Sequence, residues 1–121
     1  MLTKKKMILC FDIDGVICKT NGNNYKNAKP IKKNVKFINY LFERGFIIKL
    51  FTARFMGRNN DRSSLAEKKA KILTTEQLNK WGLKYSKLIF GKPSYDIFID
   101  DKNLNFQKNW SIILKQKLNI K

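Results

Sequence analysis

The sequence predicts a single α/β domain in which a parallel β-sheet is covered by helices. Short apolar runs alternate with helical patterns along the chain, and this alternation is typical of strands that are joined by crossover helices. At 121 residues the chain has room for one such domain but not for a second lobe. We therefore assign residues 1–121 to one domain with a Rossmann-like parallel sheet and helices on both faces.

The first half of the chain is predicted to hold two strands and one helix. Met7 to Phe11 is apolar and ends before a glycine-containing turn, which indicates a buried strand with Cys10 as a small buried side chain. Residues 15–30 are rich in Gly, Asn and Lys, as in a loop or a small hairpin. Residues 34–44 carry one apolar helical face and are followed by glycine, and residues 46–51 form the second buried strand.

The second half repeats the pattern. A polar loop is predicted over residues 52–63. Two capping-box patterns then predict one broken helix or two short helices over residues 65–81. Short apolar runs at residues 88–90 and 97–99 indicate a third and a fourth strand, and residues 110–118 form a last helix.

Polar side chains follow the end of each predicted strand. They are Asp12 and Asp14, then Thr52, then Lys92, then Asp100 and Asp101. Right-handed crossovers place the carboxyl ends of parallel strands at one edge of the sheet, where open α/β sheets bind their ligands. We therefore expect these side chains to meet in one crevice.

Such a crevice concentrates carboxylates, which repel one another unless a cation compensates them. A donor set made of oxygen atoms, in a chain without histidine, favours Mg²⁺. A carboxylate can also act as a nucleophile and form an aspartyl-phosphate. Lys92 and Thr52 would then donate to the phosphoryl oxygens that carry charge in the transition state.

Four motifs, FDIDGV, LFTAR, GKP and FIDD, occur in this order, each at the end of an apolar run. Together they resemble the motifs of the haloacid dehalogenase superfamily of phosphatases and phosphotransferases, over residues 7 to about 105. The resemblance implies that Asp12 is the nucleophile and that its second oxygen binds Mg²⁺. It also implies that Asp14 is the general acid and base and ligates the metal through its carbonyl. An aspartate at this position favours phosphatases, because ATPases of the superfamily tend to carry threonine there.

The same resemblance assigns roles to the later motifs. Thr52 matches the hydroxyl that binds the phosphoryl group, and Lys92 matches the cation that neutralises nucleophile and phosphate. Asp100 matches the metal ligand of the fourth motif. Asp101 is a second candidate for that role, or lies one layer further from the metal.

A segment at residues 54–62 follows the second strand and holds three of the chain's four arginines. Arginine offers a planar fork that suits carboxylate or phosphate, which lysine cannot reproduce. We predict that this loop selects the substrate, with Ala53 and Arg54 contacting it. The alternative is that Arg54 or Arg62 only pairs with a helix carboxylate such as Glu67.

Longer phrases narrow the resemblance. NNYKNAKPI, LNKWGLKY and LIFGKPSYDIFIDDK look similar to small phosphatases of capsule or polysaccharide biosynthesis. Members of the superfamily often carry an inserted cap domain, for which this chain has no room. A capless site either accepts bulky substrates or closes when the protein forms a homo-oligomer. The resemblance therefore implies a Mg²⁺-dependent phosphomonoesterase acting on a small phosphorylated metabolite, such as a sugar or polyol phosphate.

The net charge of +17 leaves two alternative functions open. A phosphatase acting on nucleic-acid ends would use this charge, as would an inactive basic binding module. Lysine outnumbers arginine 22 to 4, which favours a solvated lysine surface over a nucleic-acid interface. An inactive relative would be expected to lack a motif residue, and all are present.

The sequence also indicates where the protein works. No apolar run is long enough for a secretory signal or a membrane span. Two cysteines without a CxxC spacing indicate neither a disulfide framework nor a zinc site. We expect a cytoplasmic protein without a membrane partner.

Overall fold

The computed structural model describes residues 7–56 and 64–121. Five strands, a short 3-10 helix and three α-helices make up its regular structure. In chain order they are β1 (Ile8–Phe11), β2 (Cys18–Lys19), the 3-10 helix (Tyr25–Asn27), β3 (Lys29–Pro30), α1 (Lys32–Glu43), β4 (Ile47–Thr52), α2 (Ser64–Lys80), β5 (Lys87–Phe90) and α3 (Trp110–Leu118).

Three of the strands form a parallel sheet in the order β1-β4-β5. Phe11 at the end of β1 pairs with Leu50, and Thr52 at the end of β4 pairs with Phe90. The carboxyl ends of all three strands therefore lie at one edge, as the sequence predicts. The fold class is confirmed as a small Rossmann-like α/β domain, and no inserted cap domain occurs within the described residues.

A single apolar core holds the sheet and the helices together. Its fully buried members include Ile38 and Leu41 of α1, Leu50 of β4 and Leu78 of α2. Trp110 at the start of α3 completes it. The indole contacts the rings of two residues, Phe11 (centroids 6.0 Å apart) and Phe37 (5.3 Å). Burial of these side chains is the main force that fixes the strand ends relative to one another.

The predicted loop or hairpin at residues 15–30 is a hairpin. Cys18 pairs with Pro30 across the antiparallel strands β2 and β3. Asn34 of α1 ties the hairpin down, because its side-chain amide donates a 2.8 Å hydrogen bond to the carbonyl of Val16. The chain turns into this hairpin at Gly15, whose φ of 90° lies in the region that favours glycine.

The helices lie where the sequence predicts them, and the structure decides between the two alternatives that the sequence left open for the second one. The segment predicted as one broken helix or two short ones is a single helix, α2. The last helix has the predicted bounds. Within the described residues, none of the helices is both long enough and apolar enough to cross a membrane.

Two predictions about strands are wrong. Residues 97–99 form no strand, and Ile97 and Ile99 are 80% and 92% exposed. Three apolar residues are a weak strand signal, because a strand forms only where a neighbour accepts its backbone hydrogen bonds. Cys10 is exposed rather than buried. Side chains alternate between the two faces of a strand, and the face of β1 that carries Ile8 and Cys10 is exposed.

Candidate active site

The end of β1 and the end of β5 bring a carboxylate and an ammonium group together. Nζ of Lys92 lies 3.4 Å from Oδ2 of Asp12, and the two side chains are 12% and 34% exposed. The other oxygen of Asp12, Oδ1, accepts a 2.8 Å hydrogen bond from the backbone N–H of Ile13. One oxygen is thus held by the backbone, and the other faces the cation.

Contacts of both its backbone and its side chain hold Lys92 in place. Its backbone N–H donates to the carbonyl of Thr52 at 3.1 Å, which holds the chain beyond the end of β5 against the end of β4. Its Nζ lies 5.2 Å from the ring centre of Tyr95 and 5.4 Å from that of Phe98. Burial lowers the pKa of Lys92, but hydrogen bonding to Tyr95 and the charge of Asp12 outweigh burial, so the pKa lies above its ordinary value. The group is therefore a cation at neutral pH.

The second aspartate pairs with an arginine. Nε of Arg54 donates to Oδ2 of Asp14 at 2.9 Å, and Nη2 donates to Oδ1 at 3.0 Å. Oδ1 also accepts a 2.6 Å hydrogen bond from the hydroxyl of Thr20. The Arg54 side chain is fully buried, whereas that of Asp14 is 25% exposed. The carboxylate therefore sits between a buried cation and the open side of the site.

Arg54 does not have the role that the sequence predicts. We expected it to contact the substrate, or else to pair with a helix carboxylate such as Glu67. Instead its guanidinium faces inward onto Asp14 and onto α2, where Nη1 donates to Oε1 of Gln77 at 2.6 Å. A fully buried side chain held in this way offers no surface to a substrate. The other two arginines of the predicted substrate loop, Arg58 and Arg62, lie outside the described residues.

Thr52 and Ala53 form the backbone just before Arg54. The Thr52 side chain is completely buried, and its hydroxyl oxygen accepts a 3.0 Å hydrogen bond from the N–H of Arg54. The carbonyl of Ala53 accepts from the N–H of Met56 at 3.1 Å, which closes a turn. Thr52 thus lies beneath the turn that carries Arg54. Its predicted contact with a phosphoryl group, and that of Ala53, stay predictions.

The fourth motif, FIDD, forms no strand of the sheet, although its Phe98 lies beside Lys92. Asp100 and Asp101 are exposed, since the strand that was predicted to carry them does not form. The backbone N–H of Lys102 donates to Oδ1 of Asp100 at 3.3 Å, and this contact, with further contacts from Asp101, lowers the pKa of Asp100. In the part of the chain that the structure describes, no three carboxylate or thiol side chains are grouped to hold a metal ion. The predicted centre of four carboxylates is therefore not assembled.

Sequence reasoning missed the residues that hold Asp14 and Arg54. Thr20, which donates to Asp14, lies in a segment interpreted as a loop or a small hairpin, where nothing in the pattern singles it out. Thr74 and Gln77 were interpreted as part of a capping box, but both lie inside α2 and are buried. Residues three apart share a helical face, but the sequence does not show that this face is buried, so the two side chains gave no usable signal.

Comparison with known proteins identifies the fold. No family model matches the chain, and no curated protein matches it. Among solved structures, a structural-genomics target from Vibrio cholerae is 23% identical, with a TM-score of 0.73, and the match covers 93% of this chain and 98% of that one.

Two further structures are more distant. A heptose bisphosphate phosphatase from B. bronchiseptica, complexed with magnesium and phosphate, is 10% identical with a TM-score of 0.52, over 94% of this chain and 64% of that one. A chain of the Pnkp1/Rnl/Hen1 RNA repair complex is 13% identical with a TM-score of 0.52, over 93% of this chain and 31% of that one. The chain thus spans less than two thirds of either protein. These likenesses support the Rossmann-like α/β fold described above.

Proposed function

We propose that the protein is a phosphomonoesterase that forms an aspartyl-phosphate on Asp12. The observation that carries this proposal is the pairing of Asp12 with Lys92 at the carboxyl-end edge of a parallel sheet. A partly exposed carboxylate beside a cation can receive a phosphate group that would otherwise be repelled by the aspartate. The fold likeness to a heptose bisphosphate phosphatase supports the same reaction class.

In the first half-reaction, an oxygen of Asp12 forms a bond to phosphorus while the ester P–O bond breaks. The electron pair of the broken bond stays with the leaving oxygen, which takes a proton from the carboxyl group of Asp14. Lys92 lies beside Asp12 throughout, so its positive charge offsets the charge of the incoming phosphate. The alcohol then leaves.

In the second half-reaction, water gives a proton to Asp14 and attacks phosphorus. The bond between phosphorus and Asp12 breaks, and its electron pair returns to the Asp12 carboxylate. Inorganic phosphate is released, and Asp14 is protonated again for the next turnover. Asp14 is placed for this exchange because Arg54 holds its side chain in one orientation and the carboxyl group is still partly exposed.

Magnesium is the cofactor that we propose. Oxygen donors in a chain without histidine suit it, and the heptose bisphosphate phosphatase is complexed with it. Asp12, the Asp14 carbonyl and Asp100 would hold the ion, with Asp101 nearby, and the ion would reduce the repulsion between carboxylate and phosphate. The described residues do not group these carboxylates, so no step above is assigned to the metal.

For the substrate, we propose a small phosphorylated metabolite. The leading candidate is a sugar or polyol phosphate of surface polysaccharide biosynthesis. The resemblance of NNYKNAKPI and LNKWGLKY to capsule-type phosphatases supports this choice. We also propose that the capless site either accepts bulky substrates directly or closes by homo-oligomer formation.

One observation favours a second candidate, a phosphatase for nucleic-acid ends. A groove of about 850 Å³ runs along α1 and is lined by the exposed side chains Lys29, Lys32, Lys36 and Lys80. Trp81 adds a partly buried aromatic ring, on which a base could stack. Glu43, the one acidic residue among the described lining, already pairs with Lys84 at 3.0 Å. The groove is therefore basic, as a nucleic-acid strand requires.

A panel of phosphate esters tests the proposal and separates the candidates. It contains sugar and polyol phosphates, p-nitrophenyl phosphate, and oligonucleotides phosphorylated at the 3′ or the 5′ end, each with and without Mg²⁺. We expect phosphate release from a sugar or polyol phosphate, and none from the Asp12→Asn variant. Preference for the oligonucleotides would support the second candidate. If the folded protein released phosphate from none of these esters, the inactive basic binding module would be the remaining hypothesis.

A further inference from the structure

We propose that Arg54 is a positioning residue that fixes the carboxylate of Asp14 so that its Oδ2 atom faces the leaving group. This inference rests on the phosphomonoesterase function proposed above. The two oxygens of Asp14 differ in how many hydrogen bonds each accepts from the protein.

Oδ1 is the anchored oxygen. It accepts from Nη2 of Arg54 at 3.0 Å, from Nε at 3.2 Å and from the Thr20 hydroxyl at 2.6 Å. The thiol of Cys18 lies 3.5 Å from the same atom. Within the described residues, Oδ2 accepts only from Nε of Arg54, at 2.9 Å. Since a carboxylate oxygen can accept about two hydrogen bonds, Oδ2 retains capacity for the proton that is passed to the leaving oxygen.

Arg54 can impose this orientation because its guanidinium is itself held on the opposite side. Nη1 donates to Oε1 of Gln77 at 2.6 Å and lies 3.4 Å from the hydroxyl of Thr74. The guanidinium carbon lies 5.0 Å from the ring centre of Tyr25. Gln77 in turn donates to the carbonyl of Tyr25, so α2 and the 3-10 helix fix the same group. A planar fork held at both ends transmits this rigidity to Asp14.

The backbone also directs Arg54 inward. Phe55, the next residue, has a φ of 64°, in the left-handed region that bulky side chains rarely adopt. Its ring packs against that of Tyr25, with the centroids 4.8 Å apart. Such strain persists only where surrounding contacts enforce it. The contact between Phe55 and Tyr25 thus stabilises a turn whose effect is to place Arg54 over Asp14.

The chemical consequence concerns proton transfer alone. When the ester P–O bond breaks, an alkyl leaving oxygen needs the proton of Asp14, whereas a nitrophenyl leaving oxygen is stable as an anion. Misplacing the Asp14 carboxylate therefore slows the cleavage of an alkyl phosphate more than that of p-nitrophenyl phosphate. A general loss of folding, or of phosphate binding, would slow both reactions alike.

The test compares Arg54→Lys and Arg54→Gln with the wild-type protein on p-nitrophenyl phosphate and on an alkyl phosphate such as glycerol phosphate. We expect kcat for the alkyl ester to fall by about 10²-fold or more. For the nitrophenyl ester we expect a loss below about tenfold, with KM for both esters nearly unchanged. Arg44→Lys is the matched control, because Arg44 is exposed and stacks over Tyr40, away from Asp14.

Each other outcome has a defined meaning. Equal losses on both esters, a rise in KM alone, or no loss would each overturn the inference. If the Arg54 variants do not fold, Gln77→Leu removes the nearer of the two acceptors of Nη1 but keeps Arg54. The same dependence on the leaving group, at smaller amplitude, is then expected, and a uniform loss overturns the inference. If the wild-type protein hydrolyses neither ester, the proposed function fails instead.

Discussion

Asp12 and Lys92 meet across the carboxyl-end edge of the sheet, with Nζ 3.4 Å from Oδ2. They follow the first and the third strand of the order β1-β4-β5, so the central strand β4 must lie between these two strands at the correct register. The pair therefore depends on the fold and not on local sequence. It is also the point from which the proposed chemistry starts.

Replacing Lys92 by methionine should reduce phosphatase activity strongly. The change keeps the apolar stem near Tyr95 and Phe98 but removes the charge that faces Asp12. We expect kcat/KM to fall by about 10²- to 10³-fold, as for the loss of one electrostatic donor in a catalytic site. Lys87→Met, at an exposed position of β5, is the matched control. Similar losses for both variants would refute a specific role for Lys92.

Replacing Asp14 by asparagine should slow turnover by about 10²- to 10⁴-fold, since the amide keeps the shape of the carboxylate but cannot supply the proton. The loss should be larger for alkyl than for nitrophenyl esters. Steady-state rates on the two substrates measure this difference. An Asp14→Asn variant that cleaves alkyl esters at the wild-type rate would exclude Asp14 as the general acid.

Removal of Mg²⁺ should abolish activity, and re-addition should restore it, because the carboxylates would otherwise repel the phosphate. Phosphate release in excess EDTA, followed by titration with Mg²⁺, measures this dependence. Calcium at the same concentration is the control for a general effect of divalent charge. Full activity in EDTA would remove magnesium from the proposal and leave Lys92 as the compensating charge.

The two cysteines should differ in their reaction with a thiol reagent. Cys10 is exposed on β1, whereas Cys18 is buried. Burial raises the pKa of both thiols, so the difference in reactivity comes from access to the reagent. We expect one thiol to react quickly in the native protein and the second only after unfolding. The Cys10→Ser variant should lose the fast phase. Rapid reaction of both thiols would contradict the packing of the hairpin around Cys18.

The sequence was sufficient to predict the fold because its helices and parallel strands are signalled locally. The apolar runs at β1, β4 and β5 and the helical periodicity of α1 produce their elements directly. The run at residues 97–99 shows the limit of this reasoning. Its pattern resembles that of a strand, but whether a segment joins a sheet depends on a neighbouring edge, which local sequence does not describe.

For the candidate site, the sequence placed Asp12 and Lys92 at the same edge, as the structure does, since each lies within two residues of a strand end. It did not predict the partner of Asp14. Arg54 follows its strand as an exposed loop residue would, and its burial depends on Gln77 and Thr74 of a helix that is distant in sequence. Pairings of this kind are set by tertiary packing, so only the structure reveals them.

The central claim is a covalent phosphoryl group on Asp12. Rapid acid quenching during turnover of a good substrate, followed by mass spectrometry of the peptide that contains residues 7–19, measures it most directly. We predict a peptide heavier by one phosphoryl group in the wild-type protein, and its absence in the folded Asp12→Asn variant together with loss of turnover. Near-normal turnover by Asp12→Asn, or a phosphorylated peptide from that variant, would contradict the account.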